Sequence, residues 1–416
     1  MNETIKHRIE QIKRGEVPNG YKKSKLGVLP GDWTSMTVGE CLEKVEKPVA
    51  VEPDKLYTQI GIRSHGKGLF YKEPVTGESL GNKSVFWVEP DCFVLNIVFA
   101  WEQAIGKTTE NEIGMIGSHR FPMFRPIDNR VDVDYLIAYL LTKRGTDILE
   151  AASPGGAGRN RTLGQDRFMN SKIILPPINE QKKIAEILAT QDKVIALKER
   201  LLEEKKTQKK YLMQQLLTGK KRLAGFTDRY FAQKMKTIIR ETSFRSNDGI
   251  NRNVMSVSNV KGFVSQTEQF DKIVASNDTS NYKIVKYGTF AYNPSRINVG
   301  SLALYKGNQE IIVSPMYSTF IALGNINMDY LLYWFKSFGF TSQLKKYLSG
   351  SVRNSLSISD LLLFDIRLPY IEEQNAIVEV LSNADKEISI IQKSIDQEKQ
   401  KKKALMQLLL TGIVRV

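Results

Sequence analysis

Three stretches of the 416-residue chain carry residue types suited to phosphate or cofactor chemistry, and each fails on spacing. IGKTT (105–109) resembles the end of a phosphate-binding loop, but that loop needs a glycine five residues before its Gly-Lys, and Trp101 stands there. SPGGAGRNRTLG (153–164) is glycine-rich, yet Arg161 occupies the place of the last glycine of a dinucleotide fingerprint. YNPS (292–295) begins like a motif that grips the exocyclic amine of adenine, but lacks its second proline and its aromatic. With no catalytic constellation in place, the chemistry left is hydrogen bonding. Arg, Lys, Asn, Gln, Ser and His can meet phosphates and base edges when short loops present them. The first half offers Arg63, His65 and Lys67 in RSHGKG, Gln103 and Lys107 in WEQAIGK, His119 and Arg120 in GSHR, and Arg159, Asn160 and Arg161 in GRNR. The second half offers Asn259 and Lys261 in NVKG, Asn293, Ser295, Arg296 and Asn298 in NPSRIN, and Arg353 and Asn354 in VRN. Any one of these loops is also readable as a solvated turn.

Composition points the same way. The formal charge of +15 and pI near 9.5 are those of a chain with a polyanionic partner, most often nucleic acid. Three dispersed histidines and two cysteines (Cys41 and Cys92) supply neither a metal cluster nor a disulfide framework, so buried free thiols are expected. No apolar run reaches the roughly 20 residues that span a bilayer, and MNETIKHRIEQIKRG has no apolar signal core; a cytoplasmic location without membrane association is expected.

The elements that must hold the loops emerge from an internal repeat. Residues 175–223 lie over 368–416 without a gap, with 22 of 49 positions identical, ending in LMQQLLTG and LMQLLLTG. After its LP step each copy lacks proline and glycine until the TG, and carboxylates (Glu180; Glu372, Glu373) occupy the first turn, where the helix dipole favours them. Ile377, Leu381, Ala384, Ile388, Ile391, Ile395, Leu405 and Leu409 follow a 4-3 spacing, broken by Glu398 and Lys402. Ile184, Leu188, Ile195, Leu202, Leu212 and Leu216 match them in the first copy, with Gln191, Lys198, Lys205 and Lys209 interrupting. That is a coiled-coil seam, and about 39 helical residues make a rod of roughly 58 Å. The lysine runs at 203–210 and 398–403 fit a solvated face, DNA phosphates or a partner subunit.

The repeat extends faintly upstream. DYLIAYLLTKRG (134–145) resembles DYLLYWFKSFG (329–339), and CFVLNIVFAWEQAIG (92–106) falls against TFAYNPSRINVG (289–300). Short strand-like runs with Gly, Pro and Asn between them indicate mixed α/β domains. The layout predicts an α+β fold with a pseudo-twofold internal repeat. It comprises a helical lead-in (1–32), a first recognition domain (33–177), a spacer helix (178–222), a second recognition domain (223–370) and a second spacer helix (371–416). FTDRYF (226–231) stands where the first half has PGDW, leaving the start of the second domain open.

The repeated L-P-P/Y-I-x-E-Q…LLTG helix, flanking two dissimilar domains, resembles the specificity subunit of type I restriction–modification systems over nearly the whole chain. The resemblance implies two target-recognition domains, each reading half of a bipartite double-stranded DNA site, and two antiparallel helices that set the spacing. It implies two methylation subunits docked on those helices and separate restriction and motor subunits. No cofactor is then expected in this chain; S-adenosylmethionine, ATP and Mg belong to the partners. Two other assignments fit the same sequence: another multisubunit methylation or phage-defence system, and a coiled-coil scaffold that binds proteins.

Overall fold

The computed structural model describes residues 3–24, 27–155, 161–248, 250, 252–259, 261–265, 278–349 and 355–416. Two compact units make up the chain: Met1–Lys198 with Ser394–Val416, and Glu199–Lys393. Two long helices, Ile178–Leu217 and Ile371–Leu409, each give one half to each unit.

The first unit is built on an antiparallel sheet in the order Ile105–Lys107, Phe93–Leu95, Met123–Pro126, Leu42–Val45. A lead-in strand, Thr34–Thr37, pairs with Lys172–Leu175, which runs directly into the first long helix. Phe93, Phe124 and Phe168 pack within 6.0–6.4 Å of one another beneath the helix Val133–Leu140. Ile184 and Leu188 of the first long helix, and Leu409 and Leu410 of the second, join this core. Asp132 caps Val133–Leu140 by accepting from Tyr135 N (2.9 Å).

The second unit repeats this plan. Its sheet runs Leu302–Leu304, Thr289–Tyr292, Ser318–Ala322, Ile239–Glu241, also antiparallel. Phe231–Lys234 pairs with Asp365–Leu368 as the lead-in strand. Phe290 stacks on Phe320 at 4.9 Å, and Asn327 caps the helix Met328–Phe335 through Asp329 N and Tyr330 N. Ile377 and Leu381 of the second long helix and Leu216 and Leu217 of the first fill its core. The α+β architecture with an internal repeat is thus present in both halves.

The long helices pair antiparallel within each unit. In the first, partners along Ile178–Leu217 climb while those on the other helix fall: Lys402 Nζ lies 2.6 Å from Asp192, Gln191 donates to Glu398 (2.8 Å), and Lys198 reaches Glu398 (2.8 Å) and Ser394 (2.7 Å). In the second, Lys205 pairs with Glu387 (2.8 Å) and Lys209 with Asp385 (2.5 Å). The polar residues interrupting one seam therefore meet polar partners on the other. Ile184, Leu188, Ile195 and Ile395 are buried between the interruptions in the first unit; Leu202, Leu216, Ile377 and Leu381 are buried in the second.

Each long helix ends at a glycine in the left-handed region (Gly219, φ +69; Gly412, φ +73), as a C-terminal cap requires. A Cβ at Gly219 would lie 3.2 Å from the Tyr230 ring; one at Gly412 would lie 2.5 Å from Pro30 and 3.1 Å from Trp33. Tyr230 of FTDRYF thus takes the place that Trp33 of PGDW holds. The helix Glu3–Lys13 and the hairpin Tyr21–Ser24/Gly27–Pro30 have no counterpart among the described residues of the second unit.

Candidate DNA interface

The residues that could read DNA gather around one turn in each unit. In the first it follows the strand Phe93–Leu95. Asn96 Oδ1 accepts from Val98 N (3.1 Å), Asn96 N donates to Ala104 O (2.9 Å), and Phe99 N donates to Asn96 O (3.0 Å). Gln103 closes the turn in the left-handed region (φ +59), with Gln103 N on Ala100 O (2.8 Å) and Ala104 N on Phe99 O (3.1 Å). The second unit repeats every one of these bonds. Asn293 Oδ1 accepts from Ser295 N (3.0 Å), Asn293 N donates to Ser301 O (3.1 Å), and Arg296 N donates to Asn293 O (3.0 Å). Gly300 (φ +89) takes the closing position, with Gly300 N on Ile297 O (3.0 Å) and Ser301 N on Arg296 O (3.2 Å).

Around the first turn the fold assembles loops far apart in sequence. His65 N donates to Glu102 O (2.8 Å) and Gly66 N to Gln103 O (2.9 Å), docking RSHGKG on the turn. Arg63, His65 and Lys67 are exposed there; the Arg63 guanidinium donates to Leu69 O (2.6 Å) and lies over the Phe70 ring at 5.0 Å. Arg120 O accepts from Ile97 N (3.0 Å), which brings exposed His119 and Arg120 alongside. The Arg161 guanidinium sits over Trp101 at 5.4 Å. Gln103 and Lys107, also expected as readers, are engaged within the fold. Gln103 Nε2 donates to Thr146 Oγ1 (2.6 Å), and Lys107 bonds Asp134 (2.9 Å) and lies 3.6 Å from Asp91. Burial opposes the Lys107 charge, but these carboxylates hold its pKa above the usual lysine value. Arg159 and Asn160 lie outside the described residues.

Around the second turn, Ser295, Arg296 and Asn298 are exposed, while Asn293 is buried and spends its amide oxygen on the turn itself. Asn259 and Lys261, both exposed, form the tip of the hairpin Asn253–Ser258/Gly262–Ser265. Ser301 Oγ donates to Val257 O (3.3 Å) and ties that hairpin to the turn. Arg353 and Asn354 lie outside the described residues; Leu356 N, just beyond them, donates to Pro294 O (3.0 Å).

The repeated Glu-Gln of each helix start, whose glutamate suits the helix dipole, is also a structural clasp. Buried Glu180 accepts from Arg415 Nε (2.6 Å) and Nη2 (2.8 Å) and from Trp33 Nε1 (3.2 Å); Arg415 also bonds Asp32 (2.7 Å). Hydrogen bonding to Glu180 and then Asp32 raises the Arg415 pKa, and Arg415 lowers that of Asp32. Buried Glu373 accepts from Arg222 Nε (2.7 Å) and Nη2, with the guanidinium 4.8 Å from the Tyr230 ring centroid. Gln181 Oε1 accepts from Asp132 N (2.9 Å) and Gln374 Oε1 from Asn327 N (3.0 Å), so each glutamine fastens a helix start to the cap of the neighbouring helix.

Among the described residues no group of three or more His, Cys, Asp or Glu is placed to hold a metal, and no helix is long and apolar enough to cross a membrane. Cys41 and Cys92 are buried free thiols; burial pushes Cys41 up to about 11 and raises Cys92.

A duplicated α+β frame, with a loop-bearing turn in each copy and paired long helices, defines the fold class. Solved structures share the fold. The HsdS subunit from Thermoanaerobacter tengcongensis superposes with a TM-score of 0.53 at 17% identity, covering 93% of this chain and 98% of that one. A chain from a study of complex assembly and conformational transition of the type I R-M system gives 0.58 at 17% identity, covering 93% and 99%. In sequence, the type I restriction enzyme MjaVIII specificity subunit of Methanocaldococcus jannaschii is 25% identical over 422 residues, covering 93% of this chain and 94% of its own. The family Type I restriction modification DNA specificity domain matches twice, over residues 68–206 and 231–399. The chain belongs to this family: it is a DNA-binding specificity subunit with two target-recognition domains.

Proposed function

We propose that each unit reads one half of a bipartite, asymmetric DNA site, with recognition domains at 33–177 and 223–370. The observation that carries this reading is the turn at 96–104 and 293–301: one hydrogen-bond frame, held twice, with different side chains facing solvent. A rigid frame fixes the position of a side chain on DNA, and exchange of that side chain changes the base preferred. Arg63, His65, Lys67, His119, Arg120 and Arg161 serve the first half-site; Asn259, Lys261, Ser295, Arg296 and Asn298 serve the second. The paired helices set the gap between half-sites, which for two modules on one face of DNA is about one turn, roughly 34 Å.

Catalysis lies in partners on this reading. Two methylation subunits dock along the long helices and supply S-adenosylmethionine chemistry on flipped adenines; restriction and motor subunits supply Mg-dependent ATP hydrolysis. Leu197, Leu201 and Tyr211 on one helix and Ile390 on the other are exposed although the seam is already filled, which suits further helices packing there. The test is the salt dependence of DNA binding by the purified chain with its methylation subunits. Phosphate contacts predict a steep linear fall of log affinity with log salt. Binding indifferent to salt and to DNA would instead fit a protein-binding scaffold.

A further inference from the structure

The turn that repeats its hydrogen bonds in the two units does not repeat its apex residue. Residues 96–104 read NIVFAWEQA and residues 293–301 read NPSRINVGS, and their matched bonds set Phe99 where the second unit has Arg296. Both side chains are exposed. Next to Phe99, Ala100 is fully buried, as Ile297 is next to Arg296, so the frame turns one residue in and the apex residue out. Phe99 is 36% exposed, so part of its apolar ring is open to a partner while the rest packs on the fold. Phe99 forms one lip of a cleft of about 440 Å³ whose walls include Phe70, Phe121, Ile62 and Lys72. The same cleft abuts the hairpin that carries Arg63 and His65.

Resting on the proposal that these turns face DNA, we infer that Phe99 and Arg296 are equivalent specificity-determining residues of opposite chemistry. Arg296 selects guanine, whose O6 and N7 match a guanidinium fork in the major groove. Phe99 has no hydrogen bond to give, so it selects thymine through the C5-methyl group. The first half-site thus has an A·T pair at the position under its turn, and the second half-site a G·C pair.

Adenine-methylation maps of cells carrying the full chain with its partner subunits test this, using the wild type, Phe99→Ala, Phe99→Arg and Arg296→Ala. Phe99→Ala relaxes one position of one half-site, with discrimination falling about fourfold, the effect of one buried methyl, while the other half-site stays intact. Arg296→Ala relaxes one guanine of the other half-site, by about 5- to 150-fold for a bidentate contact. Phe99→Arg moves the first position towards guanine. The intact half-site in each variant shows that the protein is folded. An unchanged motif in Phe99→Ala, or a uniform loss of methylation with no change in base preference, overturns the inference while leaving bipartite reading in place. A wild-type map without a bipartite motif overturns both.

Discussion

Glu180 and Glu373 occupy the same place in the two units, and an arginine just beyond the glycine cap of the other long helix holds each. In the first unit the clasp also has Trp33 as a second donor and Asp32 as a second acceptor for the arginine. In the second, Arg222 bonds Glu373 and lies against Tyr230. The turns at 96–104 and 293–301 differ in the opposite sense: identical backbone bonding, unrelated exposed side chains. The Glu-Gln pairs and the turn asparagines, kept in both copies, are therefore buried and hydrogen-bonded, whereas the exchanged apex residues Phe99 and Arg296 face solvent. The duplicated part of this chain is the frame, and the diverged part is what the frame presents.

That contrast breaks most sharply at the clasps. Arg222→Ala leaves Glu373, 2% exposed, as an uncompensated buried charge and should cost about 3–5 kcal/mol. Arg415→Ala leaves Glu180 with the Trp33 indole and should cost about 1–3 kcal/mol. Urea unfolding of the two variants checks the order; equal losses would remove the asymmetry. Gln181→Ala and Gln374→Ala each leave a partly buried backbone N–H without its acceptor, so each should cost about 1 kcal/mol and the two should agree closely. Tyr135 and Tyr330, equivalent in the two units, bury hydroxyls without a hydrogen-bond partner, and burial raises both pKa values. Replacing either with Phe should raise stability by about 1 kcal/mol, read as a higher midpoint in the same titration. Smallest is an acid effect. Hydrogen bonds to Arg415 and Lys198 hold Asp32 and Glu398 below their ordinary pKa values. Their stabilisation is present above the ordinary carboxylate range and lost as pH falls through the lowered folded values. Arg415→Ala should flatten the Asp32 share of that acid slope.

How much of this was legible in sequence follows from the range of each interaction. The helices were, because a 4-3 apolar spacing and a gapless repeat are local patterns; the interrupting Gln191, Lys198, Lys205 and Lys209 were visible, but their partners were not. The clasps were hidden, since Glu180 and Arg415 stand 235 residues apart. Gln103 and Lys107 looked like free readers because Thr146 and Asp134 reach them only through the fold. FVLNIVFAW aligns with TFAYNPSRIN in sequence, yet nothing in a phenylalanine's own chemistry marks Phe99 as a reader. A search for polar side chains does not select a phenylalanine; only the equality of the two turns shows that it stands at the position of Arg296.

The claim of two readers in one chain is tested most directly by mapping methylated adenines in cells that carry this gene with its partner subunits. The account predicts two unlike half-sites separated by a constant number of unspecified base pairs. A single continuous motif, or two half-sites at variable separation, would contradict it.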